Sequence, residues 1–93
     1  MKIGLLRVSL HIPDSGSLKN KRSHLQGLKQ KIRNKFNVSI AEIDSQDLWQ
    51  RIDLAAAMVS TDAAHIDRVF GEIMRLIAMQ GGLEILDESR EMF

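Results

Sequence analysis

Seven lysines and arginines crowd into residues 17–36, SLKNKRSHLQGLKQKIRNKF, with no aspartate or glutamate among them. Ammonium and guanidinium groups set this densely bind phosphate, neutralising it and releasing its counterions. Lys19, Lys21 and Arg22 fall in the first turn of the helix argued for below. The macrodipole is positive there, and a cation costs roughly 0.3–1 kcal/mol instead of helping. Three cations that break a local preference, beside the glycine of DSGS and the free N–H groups of a helix start, point to an anion or phosphate site. Arg22, Lys29 and Arg33, spaced 7 and 4 apart, continue the charge along one flank, with Lys31 and Lys35 on the other. Lys29, Lys31, Arg33 and Lys35 also fit a plainer role, laying their methylenes over the border of a buried stripe and sending the charge to water.

Other reactive side chains form no familiar constellation. Cysteine is absent, which removes thiolate metal sites, disulfides and thiol nucleophiles. His11, His24 and His65 show no metal-binding spacing, and no nucleophile elbow or P-loop occurs. Asp44 and Asp47 lie three apart in a connecting segment, where aspartates cap and solvate turns. These observations describe a chain that is not an enzyme and uses no cofactor or metal. The single tryptophan, Trp49, lies in DSQDLWQR. It either packs beneath its own loop or stands out as an anchor for a partner or a base.

The elements that must position these residues follow from periodicity. Leu6, Val8, Leu10 and Ile12 alternate with Arg7, Ser9 and His11, a half-buried strand that Pro13 ends. Ser17 is placed to cap a helix whose apolar stripe is Leu18, Leu25, Leu28, Ile32 and Phe36. NVSIAEID and RIDLAAAMVST are the second and third strands. Asp62 or Thr61 caps a second helix with the stripe Ile66, Val69, Phe70, Ile73 and Ile77, which Gly81 and Gly82 stop. LEILDES is expected as a short last strand with a frayed acidic tail. The order strand, helix, strand, strand, helix, strand gives an α+β ferredoxin-like sandwich, a four-stranded antiparallel sheet with two helices on one face, as a single domain over residues 1–93. Gly27, in mid-helix, is either a point of close approach or drift.

The open sheet face should carry Arg7, Ser9, His11, Ser39, Ala41, Ile43, Asp53, Ala55, Ala57 and Val59. It has no aromatic platform for stacking bases, so RNA would be bound through charge and shape. Its middle is small and apolar, which suits a homodimer or another protein contact through Ala55 and Ala57.

Net charge is +1, yet residues 1–41 hold nine cations and one acid, and residues 42–93 hold four arginines and eleven acids. Such a dipolar chain either presents a basic face to an anionic partner or pairs its two halves, internally or between copies. No apolar run approaches the length of a membrane span, and the opening MKIGLLRVSLHIPD alternates as a strand and not as a signal sequence. No membrane role and a cytoplasmic location are expected.

SLKNKR, FNVSIAE and DLWQR, in that order, resemble the YlxP-like family, small bacterial proteins grouped as a domain of unknown function. The resemblance implies a ferredoxin-like fold and a bacterial cytoplasmic protein encoded near translation-initiation and ribosome-maturation factors. It implies no activity and no site residues. Together with the basic helix it points to a structured RNA or ribosomal particle as partner, with Lys19, Lys21, Arg22, Lys29 and Arg33 on phosphate. The alternative is a homo-oligomer with Trp49, Ala55 and Ala57 at the protein contact.

Overall fold

The computed structural model describes residues 1–93. Its elements are β1 (Lys2–His11), α1 (Leu18–Lys35), β2 (Ser39–Asp44), β3 (Arg51–Ser60), α2 (Ala63–Met79) and β4 (Glu84–Met92). The strands form one antiparallel sheet in the order β2-β3-β1-β4, the ferredoxin-like arrangement expected, with both helices on one face. No helix is long and apolar enough to cross a membrane.

Period 2 decides which strand residues meet the helices. Leu6, Val8 and Leu10 of β1, and Ile52, Leu54, Ala56 and Met58 of β3, are buried beneath Leu25, Leu28 and Ile32 of α1 and Ile66, Val69, Phe70, Ile73 and Ile77 of α2. Gly4 permits the closest approach: a Cβ there would lie 2.3 Å from Ile66 Cγ2 and 3.0 Å from a Phe70 ring carbon. Both helix starts are capped. The Ser17 hydroxyl accepts from the Asn20 amide at 3.1 Å, and Asp62 Oδ1 accepts from the Ala64 amide at 2.9 Å, satisfying N–H groups that have no partner inside the helix.

The last strand departs from expectation. β4 does not fray after Ser89; it continues to Met92 and is paired with β1 as far as Gly4↔Met92. Beyond it Ile3 and Phe93 exchange backbone hydrogen bonds of 3.1 and 2.8 Å. Every β4 residue is solvent-exposed, so hydrophobic alternation gives little sign of it. Backbone pairing holds it instead, helped by Arg90, whose Nη1 donates to Asp67 Oδ1 of α2 at 2.7 Å. β2 and β4 are the two edges of the sheet. Bulges at Glu42/Asp44 and Ser9/Leu10 interrupt the ladders near those edges, and such irregularities discourage unwanted edge pairing.

Candidate nucleic-acid interface

Residue 21 is three after Leu18 and four before Leu25, which places it on the apolar stripe of α1 and not on a flank. The Lys21 side chain is 1% exposed, with Nζ 2.9 Å from Glu42 Oε2 of β2, in the geometry of an ion pair and not of a hydrogen bond. Nζ also donates to the Ser45 carbonyl oxygen at 2.5 Å. An ammonium buried without partners would cost several kcal/mol, so these contacts are a condition of the helix packing here. The expected phosphate role of Lys21 is therefore corrected: its charge is used inside the fold, and the first turn does not present three mobile cations.

The remaining α1 cations divide as a helical wheel predicts. Arg33 Nη2 donates to Ile40 O at 3.0 Å, which sets its flank beside the free edge of β2. Lys31 Nζ donates to Gln80 Oε1 at 2.9 Å, which sets the opposite flank beside α2. The Lys35 ammonium lies 5.6 Å from the centre of the Phe36 ring. Lys19 and Arg22 are exposed and Lys29 is half-buried. None of these three enters any of the ion pairs of the chain, and neither does Arg33. The β2-side flank therefore carries Lys19, Arg22, Lys29 and Arg33 with no acid of the same chain neutralising them.

Ser45 connects the two sides of the sheet. It has φ of 60°, a left-handed conformation that costs a residue with a Cβ roughly 1 kcal/mol. Three contacts hold it there: its amide donates to Asp44 Oδ1 at 2.8 Å, its carbonyl accepts from Lys21, and its hydroxyl donates to Asp53 Oδ2. Asp53, on the open face, also accepts from Ser9 Oγ at 2.5 Å and from Arg51 Nε at 3.0 Å. The Arg51 hydrogen bond is the main reason the Asp53 carboxyl is held down at about 2; burial pushes the other way, and the Ser45 and Ser9 hydroxyls add to the lowering. Sequence reasoning missed this web. The available signal was the position of Lys21 on the stripe, which requires an acid on the facing strand.

The β2–β3 loop, residues 45–50, sits against the start of α1. Gln50 Nε2 donates to the carbonyls of Pro13 and Ser15 at 3.1 Å each, and the Gln50 carbonyl accepts from the Ile12 amide at 2.8 Å. Trp49 does not pack beneath this loop; it is 54% exposed and beside it Leu48 is also exposed. With His11, Asp47, Gln50 and Arg51 they line an open depression of about 580 Å³. Ala55 and Ala57 lie elsewhere, half-buried in the middle of the open face. Trp49 thus stands at one end of the sheet and Ala55 and Ala57 in its middle.

A family model described as "Protein of unknown function (DUF503)" matches residues 3–90. The chain belongs to this family. It is 41% identical over 76 residues to "Uncharacterized protein YlxP" of Bacillus subtilis (strain 168), an alignment covering 82% of this chain and 79% of that protein. The crystal structure of protein SO0527 from Shewanella oneidensis aligns with a TM-score of 0.49 at 14% identity, over 97% of this chain and 88% of the other. The segments that carry the family resemblance in this sequence, SLKNKR, FNVSIAE and DLWQR, converge on one end of the molecule: Lys21, Glu42 and Arg51 all join the web around Ser45 and Asp53.

Proposed function

We propose that this protein is a non-catalytic, cytoplasmic binding module that docks the β2-side flank of α1 on the phosphates of a structured RNA or ribosomal particle. The observation that carries this reading is that Lys19, Arg22, Lys29 and Arg33 share one flank and lack any intramolecular acid partner. A rigid helix fixes the spacing of these cations, and their contact with phosphate is driven by counterion release, which offsets the rotamer freedom the long side chains lose. Four phosphate contacts correspond to a log–log salt slope of about −3 to −4. Filter binding of structured RNA and of ribosomal subunits across a salt series tests this. The Lys19→Ala/Arg22→Ala/Lys29→Ala variant is expected to flatten the slope by about 2–3 units. Absence of binding at low salt, or a variant slope equal to that of the parent, refutes the proposal.

A second reading has its own support. Ile3, Val59 and Phe93 are exposed neighbours in one row of the open face, and Ala55 and Ala57 continue the small apolar surface inward. This is a surface for a homodimer or another protein contact. Light scattering at micromolar concentration tests it: Val59→Glu should shift a dimer to monomer, and a parent protein that is already monomeric removes the reading.

A further inference from the structure

We infer that Trp49 is a stacking platform for one unpaired nucleotide at the end of the basic flank. This rests on the RNA-binding reading above and narrows its partner to RNA with a single-stranded segment. The Trp49 indole is more than half exposed, although this is the residue type with the most apolar area to gain by burial. Its exposure does not come from a loose loop. Ser45 is fixed by three hydrogen bonds, the Leu48 amide donates to Ser45 O at 3.0 Å, and Gln50 ties the far end to Ile12, Pro13 and Ser15. The loop is thus held in place with the indole outward.

The surroundings suit a nucleotide. The depression has one apolar wall, Leu48 and Trp49, and a polar rim of His11, Asp47, Gln50 and Arg51. A base needs that combination, a π-face to stack on and donors and acceptors at its edge. Arg51 donates Nε and Nη2 to Asp53, which leaves Nη1 for a phosphate or a base edge. Location supplies the rest. Lys21 and Gln50 clamp the loop to the first turns of α1 and the segment before it, so the loop that carries Trp49 lies at the same end of the molecule as the start of α1, with the depression itself opening beside His11 and Arg51 of the sheet. An RNA with phosphates on Lys19 and Arg22 and an unpaired segment running round that end of the molecule would bring a base to the indole.

Trp49 is the only tryptophan, so intrinsic emission excited at 295 nm reports on this site alone. Titration with uridine monophosphate at millimolar concentration, and with an RNA hairpin bearing an unpaired loop, should quench it saturably. A blunt RNA duplex should bind with much less quenching. Labelled-hairpin binding should weaken about 5- to 150-fold in Trp49→Ala and recover mostly in Trp49→Phe, with the salt slope unchanged in both. Because the side chain is exposed, truncation should leave the fold intact, which circular dichroism confirms. Quenching that is equal for duplex and hairpin overturns the inference, as does hairpin affinity unaffected by Trp49→Ala. An emission change produced by protein concentration alone also overturns it, since the partner at Trp49 is then a second copy. If RNA binds with the expected salt slope but neither probe quenches, the stacking site fails and the phosphate reading stands. Quenching by the mononucleotide without RNA binding supports the site and refutes the phosphate reading.

Discussion

Replacing Lys21 by methionine should destabilise the protein by about 3 kcal/mol. Methionine keeps most of the stem volume, so the change isolates the charge from the packing. Removing one partner of a fully buried ion pair typically costs about 3–5 kcal/mol because the other charge stays behind. Here the carboxylate left behind, Glu42, has a side chain 16% exposed and gains partial hydration, which sets the cost near the lower limit. Loss of the charged hydrogen bond to Ser45 O keeps it from falling further, since such bonds contribute about 1.5–3 kcal/mol. Against a total stability of about 5–15 kcal/mol for a domain, the melting temperature should fall by roughly 12–24 °C. Urea unfolding, followed at constant m, gives the value directly. Lys21→Met/Glu42→Leu should recover at least about 1.5 kcal/mol relative to Lys21→Met, because no carboxylate is then stranded. A single variant within 0.5 kcal/mol of the parent refutes the reasoning, and so does a double variant no more stable than the sum of its singles. The RNA salt slope supplies an independent test: Lys21→Met should not alter it, and a slope flattened by about one unit places Lys21 on phosphate after all.

Two glycines make a paired prediction. Gly4→Ala forces a Cβ into the Ile66 and Phe70 contact and should cost about 1–3 kcal/mol, whereas at Gly27 nothing lies within 4 Å of a Cβ, so Gly27→Ala should stabilise by about 0.5–1 kcal/mol; urea midpoints in the reverse order refute the α2–β1 packing described. Asp53 makes a pH prediction. Its carboxyl is held at about 2 against an ordinary 3.8, so its contribution is present in full above the unfolded-state value and is lost as pH falls from about 4 through 2. Wild type should thus lose about 1–2 kcal/mol relative to Asp53→Asn over that interval, and an unchanged gap between the two proteins at pH 7 and pH 2.5 counts against the web around Asp53.

Most of the framework was legible in the sequence because two periods dominate it. Leu6, Val8, Leu10 and Ile12 alternate as only a half-buried strand does, and Leu25, Leu28 and Ile32 recur as only a core-facing helix does; all are buried. β4 was less legible because its residues are solvent-exposed and burial imposes no pattern on them. The basic helix shows a subtler limit. Lys19, Lys21 and Arg22 do break the electrostatic preference of a helix start, but for Lys21 the reason is tertiary: Glu42 and Ser45 receive it. A charge pattern counts cations, whereas the fold decides which of them meet water. The exposed Trp49 was likewise undecidable from composition, because its loop is oriented by the Gln50 side chain and a left-handed Ser45, neither of which leaves a periodic trace.

The order of the strands has a consequence for how the molecule forms. β1 is a central strand, bonded to β3 on one side and β4 on the other, yet it precedes both in the chain. Its pairing with β4 joins Gly4 to Met92, almost the whole sequence apart. Such distant partners must close long loops before any contact compensates the lost chain entropy, which slows folding. While they are absent, β1 exposes both hydrogen-bonding edges and its row of leucines, a state prone to pairing with other nascent chains. The molecule is therefore most vulnerable to aggregation at birth, before its sheet has acquired its last strand.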